Sequence, residues 1–440
     1  MRILIVVHGF PPTHSAGAER RAERMARWLA DHDHEVEVFT VERLDEAGFR
    51  KESTLQDGIL VHRLFYDVKA GDDPFRNLYD YPQVGEAFRE LVLSRPFDLV
   101  HIISGYLLGK PVVDVAREIS LPVVITLTEF WFMCARLNLI QATDQLCSGP
   151  ERVEKCTRCL MEHKRRYRLP SQATPRLMDL FWSVFEHTPA TSSMMLAVSA
   201  RQAALRDTLD AVDLVICPSH YLIGKFAEFG YKTNRYLFVR QGLAAPNTSK
   251  PYHRPVNGHG LRLGYVGQIK THKGVDLLVD AVIALLNEGE KITLDIWGTE
   301  TESPAYVAAL KRRSAHYPAI RWNGRYVGAE VWNVLADVDV LVVPSRWYEN
   351  SPNSILEAFH MGIPVVVTNL GGMAELVGHE KSGLLFELNN AGDLRRQIKR
   401  LINEPGLLER LRAGVPPVKT IDEEMEEILG HYRQMLERVR

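Results

Sequence analysis

Two stretches of this chain repeat one pattern, and that pattern leaves little freedom in how the chain can fold. "RILIVVHGFPPTHSAGAERRAERMARWLADHDHEVEVFTV", residues 2–41, runs apolar strand, glycine-containing loop, amphipathic helix, then a second apolar strand near Val36 to Val41. "LRLGYVGQIKTHKGVDLLVDAVIALLNEGEKITLDIWG", residues 261–298, repeats the order, with Gly264 and Gly267 around the loop, a helix from about Val275 and a strand through Ile292 to Trp297. Further unbroken apolar runs, "DLVHIIS", "PVVITL", "VDLVICPS", "DVLVVPS" and "IPVVVT", are what strands of parallel sheets look like when helices cover both faces. The expected class is α/β, with two Rossmann-like, doubly wound domains facing across a cleft. A chain of 440 residues is also too long for one core. The polar, Pro- and Gly-bearing segment 241–260 has no apolar periodicity and reads as the connection. The expected division is 1–245, a linker at 246–260, 261–415, and a C-terminal segment 416–440. That last segment places Met425, Ile428, Leu429, Tyr432, Leu436 and Val439 on one helical stripe. Such a stripe needs a partner surface.

A net charge of -2 gives no reason to expect a nucleic-acid partner. "MRILIVV" is too short for the apolar region of a signal peptide, and no stretch approaches the roughly 20 apolar residues of a membrane span. The expected location is cytoplasmic. "HKRRYR", His163 to Arg168, reads as a solvated helix face, with contact to an anionic membrane inner face as its other reading. "FWFM", Phe130 to Met133, reads as core.

"SRWYENSPNSILEAFHMGIP", residues 345–364, sets Glu349 and Glu357 around a helix start. Pro352 fits the first helical position and Ser351 the cap, which puts Glu349 in the loop and Glu357 about two turns in. Free amides around Ser351 to Ser354 and the positive end of the helix suit a phosphate. Lys273 follows a strand of the same domain and opens onto the same edge. A ligand with phosphate in the middle and hydroxyls on both sides describes a nucleotide sugar. "DVD", Asp337 to Asp339, has the spacing of a magnesium-binding pair but reads as the turn leading into an apolar strand.

"YVGQIKTHKG", "NGRYVGAEVWNVLADVDVLVVPS" and "SRWYENSPNSILEAFHMGIPVVVTNLGGMAEL" together resemble the retaining, GT-B-fold glycosyltransferases with an E-x7-E motif. The resemblance implies Glu349 near the donor sugar hydroxyls, Glu357 near the ribose and Lys273 on the diphosphate. Amides of Asn353, Ser354, Ile355 and Leu356 complete that site, with Gly267, Gln268, Gly298, Arg325, Tyr326, Asn350 and Ser351 as further donor contacts. It implies Ala16, Gly17, His101 and Glu129 on the acceptor side, and Glu349, Lys273 and His101 as the catalytic set. It further implies retention by front-face attack, with neither a protein nucleophile nor a divalent ion, and a C-terminal helix that packs back on the N-terminal domain. The expected reaction moves a sugar from a nucleoside-diphosphate sugar to a glycan, lipid-linked or small-molecule acceptor in envelope polysaccharide or glycoconjugate synthesis. A non-catalytic sugar-nucleotide-binding protein and a nucleotide-sugar epimerase are the alternatives. The sequence departs from the family at Gln268, where an arginine is usual. It departs again at Ala16-Gly17 in place of Gly-Gly, at Ile103 in place of a second histidine, and at Thr128-Glu129 in place of His-Asp. The donor half is typical and the acceptor half is not.

Four of the five cysteines, Cys134, Cys147, Cys156 and Cys159, cluster in an insertion at about 130–170. The C-x2-C of Cys156 and Cys159 reads as a knuckle whose backbone turns around an ion. A structural zinc is expected there, with an iron–sulfur cluster or free thiols as the alternatives.

Overall fold

The computed structural model describes residues 1–14, 16–44, 48–185, 188–244, 260–326 and 330–439. The expected linker at 246–260 lies outside the described residues apart from Gly260, as does the side chain of Val439. The chain forms two compact units, Met1–Arg240 with Ile421–Arg440, and Gln241–Thr420. The second unit is wider than 261–415 because the chain enters and leaves it side by side: Leu243 N donates to Lys419 O at 2.9 Å.

The first unit contains β1 (Arg2–His8), β2 (Glu35–Arg43), β3 (Phe49–Gln56), β4 (Ile59–Tyr66), β5 (Leu99–Ile103), β6 (Val123–Thr126), β7 (Leu214–Cys217) and β8 (Tyr236–Phe238). They form one sheet in the order β3-β4-β2-β1-β5-β6-β7-β8, parallel except for the β3–β4 hairpin. The second unit contains β9 (Leu261–Val266), β10 (Ile292–Trp297), β11 (Ile320–Gly324), β12 (Val340–Val343), β13 (Val365–Thr368) and β14 (Gly383–Phe386), in the order β11-β10-β9-β12-β13-β14. Each sheet reverses its winding once, between β1 and β5 and between β9 and β12. Ligands of doubly wound sheets sit in the crevice beyond the carboxyl ends of the strands at that reversal.

The helix Ile421–Val439 belongs to the first unit, and residues 416–420 to the second. Its Met425, Ile428, Leu429, Tyr432 and Met435 are buried in the core that Ile3, Ile5 and Val7 of β1 and Leu99 and Ile103 of β5 help to form. Two polar ties fix its register. Trp28 Nε1 donates to Asp422 Oδ1 at 2.6 Å, and the fully buried Arg21 pairs with the fully buried Glu424.

Candidate active site

In the second unit the loops after β9 and β12 meet at the reversal. Gly274 holds a left-handed backbone (φ +70°), and a Cβ there would lie 2.0 Å from Pro344 O, so only glycine lets the two loops approach this closely. The result places Lys273 Nζ 2.6 Å from Glu349 Oε1, with Ser345 Oγ donating to the same oxygen at 3.0 Å. The Trp347 ring lies 4.8 Å from the ammonium. Burial pushes the Glu349 carboxyl up, but the Lys273 charge and hydrogen bond, with those of Trp347 and Ser345, hold it below the usual range. Glu349 therefore stays ionised although buried. Its carbonyl accepts from Gly372 N at 2.7 Å, and a Cβ on Gly372 would lie 2.1 Å from Asn350 O.

The helix Asn353–His360 starts one residue later than the sequence implies. Pro352 is its N-cap, with an extended ψ of 121°, and no side chain caps it. Ser351 is therefore not the cap, and its buried Oγ has no hydrogen-bond partner among the described residues. Glu357 consequently stands just over one turn in. Ile355 N and Leu356 N donate to Pro352 O at 3.1 and 3.5 Å, which leaves Asn353 N and Ser354 N as the amides outside the helix's own bonding. The Ile355 and Leu356 side chains enter the core.

The remaining expected donor contacts surround this centre unevenly. Gly267 and Gly298 are packed together: a Cβ on Gly298 would lie 1.9 Å from Gly267 O. Gln268 Nε2 donates to Glu302 Oε1 at 3.3 Å, and Lys270 pairs with the same carboxylate. Arg325 is exposed, while Tyr326 packs on the core beside β12. Arg346, not singled out in the sequence, forms two bonds to Asp276, at 2.8 and 2.6 Å, and bridges the two loops. The "DVD" segment is occupied by cations: Asp339 accepts from Arg262 and Arg412 at 3.0 and 3.1 Å.

In the first unit the expected acceptor residues do not gather at one place. Ala16 and Gly17 are exposed at the start of the helix Gly17–Asp31. His101 is fully buried in β5, with one ring nitrogen bonded to the Tyr432 hydroxyl and the other to Thr126 Oγ1 at 2.7 Å. Burial and Arg21 push its pKa down to about 3. A neutral imidazole with both nitrogens engaged beneath the C-terminal helix cannot reach a substrate. This overturns the catalytic and acceptor roles expected for His101, because a helix from the far end of the chain covers it.

At the reversal of this sheet the expected Glu129 stands with His8, Glu19 and Tyr106, which the sequence reading did not single out. His8 Nε2 is 3.7 Å from Glu19 Oε1, and Tyr106 meets the His8 ring edge-on. Burial, with His14 and Arg43, pushes His8 down to about 4. Ser104 Oγ donates to Glu129 Oε1 at 2.6 Å, and Trp131 N donates to the other oxygen. Burial outweighs these bonds and pushes Glu129 up to about 7. The position of His8 at a strand end was the signal that could have revealed it.

The family description "Glycosyl transferase 4-like domain" matches residues 16–242, about half of the chain, and "Glycosyl transferases group 1" matches 260–404. The chain belongs to this glycosyltransferase family. The glycosyltransferase is 30% identical over 166 residues to the 2-deoxystreptamine glucosyltransferase of Streptomyces kanamyceticus, covering 38% of this chain and 42% of that one. It is also 30% identical over 207 residues to the UDP-Gal:alpha-D-GlcNAc-diphosphoundecaprenol alpha-1,3-galactosyltransferase of Escherichia coli, covering 44% and 47%. The match thus spans less than half the length of either relative. Among solved structures, sucrose-phosphate synthase of Thermosynechococcus elongatus aligns with a TM-score of 0.65 at 16% identity over 100% of both chains. Anabaena HepE in complex with UDP and glucose aligns at 0.62 and 15% identity, over 98% of this chain and 99% of that one. Both show the two-domain fold.

Between β6 and β7 the glycosyltransferase carries its insertion. Residues 139–147 form a small hairpin, with Cys147 N donating to Leu139 O at 2.7 Å, and Cys134 lies in the turn before it. Cys156 and Cys159 lie inside the helix Val153–Glu162, so the expected knuckle is instead an i,i+3 pair on one helix face. All four cysteines are free and line one cavity of about 50 Å³. Among the described residues no three His, Cys, Asp or Glu side chains stand, as placed, close enough to share a metal ion. Further along the insertion, Leu177, Leu180, Phe181 and Val184 form an exposed i, i+3, i+4, i+7 stripe on the helix Pro175–Phe185, while Met178 and Trp182 face inward. Exposed Arg165, Arg166 and Arg176 lie on the same pair of helices. Among the described residues no helix is long and apolar enough to cross a membrane.

Proposed function

We propose that this glycosyltransferase moves a sugar, with retention of anomeric configuration, from a nucleoside-diphosphate sugar to a glycan, lipid-linked or small-molecule acceptor. The observation that carries the reading is the Lys273–Glu349 pair at the β9–β12 reversal, beside the amides of Asn353 and Ser354 that lie outside the helix's own bonding. Sugar transfer builds negative charge on the departing diphosphate. An ammonium has three protons, and Glu349 accepts one of them, so Lys273 still has two to give to phosphate oxygens. The two amides add fixed dipoles at no reorganisation cost when the bond breaks. Glu349, held ionised, is an acceptor for a sugar hydroxyl, and Glu357 for a ribose hydroxyl. In this reading the leaving phosphate takes the proton of the attacking hydroxyl on the same face, and Lys273 and the amides need no divalent ion to assist them. The UDP in the aligned HepE structure favours uridine as the first nucleoside to try.

On the acceptor side, the exposed apolar stripe with its flanking arginines fits an anionic bilayer surface, which points to a lipid-linked acceptor reached at the cytoplasmic face of a membrane. The test incubates the protein with a panel of nucleoside-diphosphate sugars, with and without vesicles carrying anionic lipid, and measures nucleoside diphosphate released. Proton NMR of the product gives its anomeric configuration. An inverted product overturns retention, and no release or binding with any donor overturns the whole reading.

A further inference from the structure

The four-cysteine cavity plays no part in the chemistry proposed above, and its walls carry a positive excess. Beyond Cys134, Cys147, Cys156 and Cys159, the charged residues lining it are Arg136, Lys155 and Arg201, and no described carboxylate lines it. Arg201 is only 2% exposed, and its Nε has no hydrogen-bond partner among the described residues. Glu151 pairs with Lys155 at 3.1 Å, but Arg136 and Arg201 have no carboxylate partner among the described residues, so two cations of the wall lack a counter-charge. Four thiolates around one divalent cation carry a net charge of −2 and would supply it.

The hydrogen-bond donors agree with that arrangement. Gln202 Nε2 donates to Cys156 Sγ at 3.6 Å. The backbone N–H groups of Arg136 and Leu139 face the Cys134 sulfur and that of Ala142 faces Cys159, whereas the Cys147 thiol itself donates to Gly149 O at 3.6 Å and Lys155 is bonded to Ser148 Oγ and Gly149 O at 2.9 and 3.1 Å. Donors at Cys134, Cys156 and Cys159 are the kind of second layer that holds metal-bound thiolates in place. The frame also matches: one cysteine before a hairpin, one at its end and two on one face of the following helix bring ligands from three directions, as a tetrahedral ion requires. Leu137, Leu139 and Asp144 all adopt left-handed backbone in this short loop, a conformation that needs an outside tie.

We propose that Cys134, Cys147, Cys156 and Cys159 bind one zinc ion as thiolates. Four S–H bonds break, four Zn–S bonds of about 2.3 Å form, and four protons leave to solvent. Rotation about χ1 of the cysteines draws the sulfurs from the cavity wall to the ion. Its role is structural: it fixes the hairpin to the helix Val153–Glu162 next to Trp131, which lies under Arg201 and beside the β6 end that carries Glu129.

The test uses the full chain purified without oxygen. Elemental analysis should find about one zinc per chain. Titration with p-hydroxymercuribenzoate should release that zinc as four thiols react, read with a metallochromic dye. Cobalt(II) added to metal-stripped protein should give the visible bands and sulfur-to-metal charge transfer of a tetrahedral tetrathiolate site. Cys156→Ser with Cys159→Ser should abolish binding, while Cys217→Ser, on β7 in the core, should keep it. The cobalt spectrum of the unsubstituted chain decides the matter if the double variant fails to fold. Iron with sulfide, a disulfide between any two of the four, or folded protein whose four thiols react freely and take up no metal, would each overturn the proposal.

Discussion

The two sheets reverse their winding in the same way, yet the two crevices this creates are electrostatic opposites. At β9–β12 a buried carboxylate is kept ionised by an ammonium 2.6 Å away. At β1–β5 burial pushes His8 and Glu129 toward their neutral forms, His8 down to about 4 and Glu129 up to about 7. Topology decides where a ligand sits and local charge decides which kind. A crevice that keeps full charges suits a diphosphate. One that suppresses them suits a neutral, hydroxyl-rich molecule, which deprotonates less readily and is held by hydrogen bonds.

Four experiments test that contrast, taken here from the largest expected effect. Ending the chain at Thr420 should unfold the first unit and leave a separate melting transition for the second, because the helix Ile421–Val439 fills the core over β1 and β5. Tyr432→Ala alone should cost about 3–5 kcal/mol of first-unit stability, as large core truncations do. An unchanged melt in either case refutes the covering role.

Lys273→Ala and Glu349→Ala should each lower turnover per folded molecule by about a hundredfold while leaving the fold intact, since both act on charge at the reacting diphosphate or sugar. His101→Gln should do the reverse, lowering the melting temperature and sparing turnover per folded molecule. The contrast breaks if His101→Gln abolishes turnover in stable protein, or if Lys273→Ala turns over normally.

Glu357→Gln should weaken nucleoside-diphosphate binding about tenfold in calorimetry, the loss of one charge-assisted hydrogen bond. Unchanged affinity would remove Glu357 from the ribose.

Glu129→Gln concerns pH. With a folded pKa near 7 and an unfolded value near 4.3, the folded state binds the extra proton between them, so Glu129 makes stability fall as pH rises across that window. The variant should flatten that part of the melting-temperature profile. A profile identical to the parent's shows that Glu129 does not titrate there.

The crevice at β9–β12 was legible because its charged pair lies on two loops, each continuous in sequence, whose spacing places Lys273 and Glu349 without knowledge of the rest of the fold. Where the local reading failed, a backbone detail was the cause: Pro352 takes an extended ψ, so the cap moved off Ser351 and Glu357 moved one residue closer to the helix start. His101 was misread for a different reason. Its neighbour Tyr432 lies 331 residues away, and no window around "DLVHIIS" carries that information. The parallel strands, the covering stripe and the clustering of four cysteines were all readable as pattern. That Cys156 and Cys159 lie within a helix was not, because C-x2-C fits a turn and a helix face equally well.

The helix that seals the first core is also the part of both units that the ribosome makes last. Every residue from Gln241 to Thr420 has to be synthesised before Met425, Ile428 and Tyr432 exist, so the unit begun first is finished second. Until then Arg21 lacks Glu424, His101 lacks Tyr432, and an apolar strip over β1 stays open to chaperones and proteases. A nonsense codon just after Thr420 would therefore spare Lys273, Glu349 and the rest of the β9–β12 crevice and still yield a product whose first unit cannot close, marking it for removal.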